Sequence, residues 1–309
     1  MTALATQSFD LPRRLVPGVW QKAQGTSVLA RLSGAEPQQF GEYQYMTLTA
    51  PPRAEVVGEA QEKSESTAQF APVVAIPRKV QVTQRFSQEV RWADEERQLQ
   101  VLSTMADLAA VALARALDLI GIHAINPLTG ALLAGTPDKI LDTTNVVEVG
   151  DAGAPDTAIE EAVGLVLDAG CSPTGVALDN GFAFRLATQR YADGRKVYPE
   201  LGFGSDITSF AGLDAAVSDT VRGGREAVTP STGAYAGVNP NVQAIVGDFS
   251  AFRWGVQENI PLELIEFGDP DGGGDLKRKN QIAIRAEVVY GIGILSTDAF
   301  AVVRDTDAS

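Results

Sequence analysis

The sequence predicts an α+β fold, and three observations carry that expectation. The first is a long alternation near the C-terminus, where Ile282, Ile284, Ala286, Val288, Tyr290, Ile292 and Ile294 occupy every second position. Successive strand side chains point to opposite faces, so this period describes a half-buried strand. Seven alternate positions span about 43 Å, well beyond a typical strand. A shorter alternation precedes it at Ile260, Leu262 and Leu264, and a Gly-Asp loop separates the two. The second observation is a stretch from Ala93 to Ile120 without Pro or Gly. The third is that helical and strand patterns do not alternate as βαβα, which argues against a doubly wound nucleotide-binding fold.

Taken in order, residues 1–40 carry Pro12, Pro17 and Pro37 with Arg13 and Arg14 and show no sustained period, which predicts an extended arm. In residues 41–86, Met46, Leu48 and Ala50 alternate with threonines, and Val74, Ile76, Val80 and Val82 alternate with polar residues. These are two strands of a long hairpin. Its tip, Gly58 to Gln69, is too polar to bury itself.

The stretch 93–120 is rich in strong helix formers. Leu102, Met105, Ala109, Ala112, Ala116 and Ile120 make an apolar stripe, and Asp94, Glu95 and Glu96 suit the positive end of the helix dipole. Gly121 is the expected stop. Such a helix is a rod of about 35–40 Å. Residues 126–150 are broken by Pro127 and Pro137. A second helix is expected over 157–169, capped by Asp156 or Thr157 and stopped at Gly170. Val176 to Leu178 reads as a short buried strand, and Asp179-Asn180 as the cap of a third helix reaching 189 or 190. Turns and further strands follow.

Composition excludes several functions. Cys171 and His123 are each the only residue of their type, so finger or ribbon zinc sites are ruled out. His123 lies in the apolar string IGIHAIN, where a structural role is expected rather than nucleophilic catalysis. A net charge of −14 argues against direct nucleic-acid binding. No run of about 20 apolar residues predicts a membrane span, and MTALATQSFDLPRR lacks the pattern of a secretion signal. Gly272-Gly273-Gly274 lacks the context of a phosphate loop and reads as a flexible hairpin tip. Asp269, Asp271 and Asp275 miss the calcium-loop spacing and read as solvated turn residues. No cofactor or metal is expected.

Beyond these patterns, the fragments IVGDFS, Lys279-Asn280, IRAE with Arg285 and Glu287, and DAFAVV resemble, in that order, the C-terminal end of tailed-phage major capsid proteins of the Hong Kong ninety-seven type. Upstream, VVGEAQEKSES before a lysine-containing strand resembles the family's E-loop, the long helix its spine helix, and the segment through GLDAAVS its axial domain. The resemblance implies an N-terminal arm at 1–40 and an E-loop hairpin at 41–86. It places peripheral-domain segments at 87–145 and 251–294, an axial domain at 146–250, and a C-terminal return to that domain at 295–309. It implies a self-assembling subunit of pentamers and hexamers forming an icosahedral shell around double-stranded DNA, read without sequence specificity. An encapsulin-like compartment shell is the alternative. Portal, a separate scaffolding protein and a decoration protein are the implied partners, with assembly in the host cytoplasm and no membrane.

The resemblance also marks interface candidates: Arg13, Arg14, Gly58, Glu59, Lys63, Arg285 and Glu287. Some family members form an isopeptide bond between an E-loop lysine and an asparagine, assisted by a glutamate, and the matching residues here are Lys63, Asn280 and Glu287. Seven residues separate Asn280 from Glu287, which places them on opposite faces of a regular strand. Lys63 sits among Glu62, Ser64, Glu65 and Ser66, a wet acidic setting that keeps its amine protonated. Noncovalent contacts and no catalytic residues are therefore expected.

Overall fold

Two sheets organise the chain in a computed structural model that describes residues 27–89, 95–133, 139–150, 153–204, 206–223 and 241–305. Strands β1 (Tyr43–Ala50), β2 (Gln69–Ser87), β8 (Phe252–Ile265) and β9 (Gln281–Ile294) form a four-stranded sheet in the order β1-β2-β9-β8. The second sheet is six-stranded, in the order β3-β10-β7-β4-β6-β5. Its strands are β3 (Val146–Val149), β4 (Gly175–Leu178), β5 (Ser209–Phe210), β6 (Leu213–Val217), β7 (Val242–Gly247) and β10 (Phe300–Asp305).

The alternation that predicted β9 is the core of the first sheet. All seven residues from Ile282 to Ile294 on that face are buried. Most pack in one cluster with Ala109, Leu113 and Leu117 of the long helix α2 (Glu95–Asp118) and with Ile120 just beyond it. The Tyr290 hydroxyl donates to Leu113 O at 3.2 Å, which satisfies the one polar atom on that face. Strand β9 pairs antiparallel with both β2 and β8 and is therefore central.

The alternation over 260–264 is less regular than expected. The β8–β9 register shifts between Ile260 and Glu263, at Pro261, which has no N–H to give to a ladder. Leu262 and Leu264 pack against Phe86, Ile282 and Ile284; the side chain of Ile260 lies outside the described residues.

Helix α2 departs from expectation at both face and end. Its buried apolar positions are Ala106, Ala109, Ala110, Leu113, Ala114, Ala116 and Leu117, with Ile120 buried just beyond its end, while Met105 and Ala112 are half-buried. Asp94 and the side chains of Glu95, Glu96 and Leu102 lie outside the described residues. Gly121 does not stop the helix. The chain continues through a π-helical turn, Leu119–His123, and ends at Ala124, whose left-handed backbone (φ 54°) closes it. Gly121 is instead required by close packing, since a Cβ there would lie 2.7 Å from Leu29 Cδ1 and 2.8 Å from the Phe252 ring.

Helices α3 (Pro155–Asp168) and α4 (Asn180–Thr188) cover one face of the six-stranded sheet, sharing a cluster with Val176, Leu178, Val246 and Val303. Helix α3 starts earlier than expected, with Pro155 at its first position and no side-chain cap, because proline's fixed φ already suits that site. Gly170 (φ 77°) ends it as expected. Asp179 caps α4 by accepting from Gly181 N at 2.8 Å, and the helix stops at Thr188.

Two further expectations change. Residues 27–40 are seated on the body instead of extending from it: helix α1 (Val28–Leu32) is capped by Ser27, and Val28 and Leu29 are buried. The Gly-Asp loop after β8 is held, since Arg85 forms ion pairs with Asp269 and Asp271 and donates to Gly274 O at 2.8 Å. Arg85 holds the Asp271 carboxyl below its ordinary range. This long-range partner has no local signature in the sequence.

Candidate functional site

Strand β2 is 19 residues long but serves two different partners. Ile76 to Ser87 pair with β9, whereas Gln69 to Ala75 pair only with β1. The β1–β2 pair is therefore a two-stranded ribbon that overhangs the sheet by about 23 Å. Its apolar alternation faces outward: Met46, Leu48 and Phe70 are 66%, 51% and 59% exposed, and Leu48 sits opposite Phe70 in the register. A lone two-stranded ribbon is marginal in water, so its geometry suits one that gains contacts elsewhere.

Beyond the ribbon, residues 51–68 form no helix or strand and are largely exposed. Gly58, Glu59 and Lys63 all sit in this tip. Among the described residues, internal hydrogen bonds fasten it: Arg53 N donates to Ser66 Oγ at 2.7 Å, and Ser64 N to a Glu55 carboxylate oxygen at 2.9 Å. The Ser64 hydroxyl, which also donates to Glu55, and then the Ser64 N–H hold the Glu55 carboxyl below its ordinary range.

Arg285 and Glu287 lie on the polar face of the four-stranded sheet, opposite the one covered by α2. Lys79 of β2 pairs with Glu287 at 2.7 Å. Arg285 donates to Thr83 Oγ1 at 3.2 Å and to Pro270 O at 2.8 Å, and it lies 3.8 Å from Glu287. Among the described residues, no hydrogen bond or ion pair joins Lys63 to Asn280 or Glu287. Asn280 precedes β9 with a left-handed backbone (φ 53°), so the strand parity expected between it and Glu287 does not apply. The sequence missed Lys79 as the partner of Glu287, because that contact depends on a register between segments about 200 residues apart. Arg13 and Arg14 lie outside the described residues.

The two buried titratable groups near the end of α2 serve structure. His123 Nε2 donates to Thr220 O and Val221 O, both at 3.1 Å, and burial lowers its pKa to about 4, so the ring is neutral. The Asp118 carboxylate accepts from Ser27 Oγ, from Val28 N at 3.0 Å, from Leu29 N at 3.1 Å and from Thr220 Oγ1 at 2.7 Å. Burial pushes the Asp118 carboxyl up, and these four donors pull it back. No cluster of potential metal ligands occurs among the described residues.

Comparison with known proteins decides what this architecture is for. The phage capsid family matches residues 8–305. The chain belongs to the phage capsid family. A solved structure from Mycobacterium phage Ogopogo is 76% identical, covers 99% of this chain and 100% of its own, and superposes with a TM-score of 0.84. One from Gordonia phage Cozz is 31% identical over 91% of this chain and 87% of its own, with a TM-score of 0.76. The capsid of a native GTA particle computed with C5 symmetry shares the fold alone, at 14% identity, a TM-score of 0.61, and 92% and 90% coverage. Among curated proteins, none matches the chain. The fold is that of the Hong Kong ninety-seven type, and the molecule is a bacteriophage major capsid protein that forms the icosahedral shell of the virion.

Proposed function

We propose that copies of this capsid protein associate as pentamers and hexamers through noncovalent contacts, chiefly by docking the outward apolar face of the β1–β2 ribbon on a neighbouring copy. The exposed positions of Met46, Leu48 and Phe70 on a ribbon with no body beneath it are the observation that carries this reading. Ring-forming contacts are heterologous, so the same surfaces serve five- and six-fold rings at slightly different angles.

In this reading, residues 41–86 are the E-loop, 87–145 with 251–294 the peripheral domain, and 146–250 with 295–309 the axial domain. The arm is confined to the residues before the seated segment at Ser27. Gly58, Glu59, Lys63, Arg285 and Glu287 are interface residues, with Arg13 and Arg14 in the arm. Portal, scaffolding and decoration proteins are its partners, assembly takes place in the host cytoplasm, and the shell encloses double-stranded DNA without reading its sequence.

The protein carries out no catalysis in this reading. Glu287 is engaged by Lys79 in its own chain, and Lys63 lies in an exposed tip, whereas amide formation requires an unprotonated amine and a free base. Electron microscopy of the purified protein tests assembly, with closed particles expected from the intact chain and none after deletion of residues 58–68. Boiled, denatured particles should run as the 32.6 kDa monomer. A covalent ladder that vanishes in Lys63→Ala or Asn280→Ala would overturn the noncovalent reading.

A further inference from the structure

Residues 27–45 run from the buried end of α2 to the root of the ribbon and are fastened along the way. At the first end, Ser27 caps α1, and Asp118 accepts from Ser27 Oγ and from the N–H groups of Val28 and Leu29. Both carboxylate oxygens face a backbone N–H, so an asparagine amide would confront a donor in either orientation. Leu29 fills the space that a side chain at Gly121 would occupy, and Leu32 lies 3.1 Å from where a Cβ of Gly175 would fall.

The chain then crosses β8 and β9. Trp254 Nε1 donates to Ser33 Oγ at 3.0 Å, Glu36 N donates to Trp254 O at 2.9 Å, and Arg253 pairs with Glu36. Gly255 and Gly291 face each other across the two strands and leave the groove in which this segment lies. A Cβ at Gly255 would come within 2.2 Å of Glu36 O, and one at Gly291 within 1.9 Å of Gln38 Oε1.

At the second end, one buried amide holds the segment. Gln257 Nε2 donates to Gly41 O at 2.9 Å and Gln38 Oε1 at 3.1 Å, while its Oε1 accepts from Gly41 N at 3.2 Å. Gln38 Nε2 donates to the Tyr45 hydroxyl at 2.9 Å, which in turn donates to Glu36 Oε2 at 3.1 Å. Tyr45 belongs to β1, two residues from Tyr43, whose partner Ala75 on β2 is fully buried where the ribbon leaves the sheet.

We propose that residues 27–45 are a tie that couples the anchorage of the N-terminal segment to the set of the β1–β2 ribbon, with Asp118 and Gln257 as the positioning residues at its two ends. The segment has little structure of its own beyond α1 and is held by contacts spaced along its length. Freeing either end lowers the order of the whole strip, because its fixed backbone is shared by all the fastenings. Coupling of this kind is reciprocal. A change in how the chain before Ser27 is held is then felt at the ribbon, and docking of the ribbon is felt at α1. The functional consequence rests on the ribbon being an assembly contact, but the coupling does not, so the test uses unassembled protein.

Amide hydrogen exchange followed by peptide mass spectrometry on the full chain reads the coupling directly. Gln257→Ala should accelerate exchange by about tenfold in β1 and also in residues 28–33, on the scale of one lost hydrogen bond. Ser27→Ala, at the opposite end, should accelerate the same two segments, while β9 stays unchanged in both variants. Should Gln257→Ala fail to fold, Arg253→Ala removes a half-exposed fastening from the same stretch and is expected to give the same pattern. Acceleration confined to the end that was altered, or spreading into β9, would overturn the tie. Failure of ribbon variants to block assembly would overturn the assembly reading and leave the exchange result untouched.

Discussion

Strand β9 and the β1–β2 ribbon carry the same two-residue alternation and end in opposite circumstances. The apolar face of β9 is covered by α2, and every residue of it is buried. The apolar face of the ribbon lies beyond the reach of the body, and Met46, Leu48 and Phe70 remain exposed. A period of two states that one face seeks cover. Whether the cover comes from the same chain or from another is decided by where the strand sits. In the proposed reading that distinction separates folding surface from assembly surface, and substitutions on the two faces should separate the two processes.

The largest effect is expected inside the covered face. Ala109→Asp places a charge against β9 and should cost about 4 kcal/mol or more, enough to abolish folding as read by circular dichroism. Ala112→Asp, at a half-buried position, should cost less. If both variants were soluble and assembled, α2 would not be the cover of β9.

A smaller effect is expected from His123. Its folded pKa of about 4 lies below the ordinary 6.5, so the unfolded chain binds the proton more readily. Stability from this group is full above pH 6.5 and falls as the pH drops from 6.5 towards 4, by roughly 3 kcal/mol in total. Urea melts across that window should show the slope, and His123→Gln should flatten it. Smaller again is Lys79→Ala on the polar face: the lysine is 56% exposed, so loss of its pair with Glu287 should cost about 0.5 kcal/mol in the same melts. A loss of several kcal/mol there would show that this face, too, is part of the core.

Much of the fold was legible in the sequence because its signals are local. The β9 alternation, the long helix, the buried strand at Val176–Leu178 and the caps at Asp179 and Gly170 each follow from residues within one element. The departures arise where a distant partner decides. Gly121 looked like a helix stop because glycine usually is one, but Leu29 and Phe252 require its missing side chain. Residues 27–40 looked like arm because Pro37 and their polar residues hide a short capped helix and a run of contacts to β8. Of the interface candidates, Gly58, Glu59 and Lys63 came from the family resemblance, while polarity said only that their segment stays exposed; Met46, Leu48 and Phe70 had neither mark. Their pattern is that of a core strand, and only the register of β2, shared between β1 and β9, shows that no core lies beneath them.

The central claim is that the ribbon face is assembly surface and contributes little to folding. Met46→Glu and Leu48→Glu, singly and together, test it most directly when stability and particle formation are measured on the same preparations. Urea melts are expected to stay within about 0.5 kcal/mol of the parent, while electron microscopy and size exclusion show no closed shells. Variants that lose several kcal/mol, or that keep their stability and still form normal particles, would contradict the account.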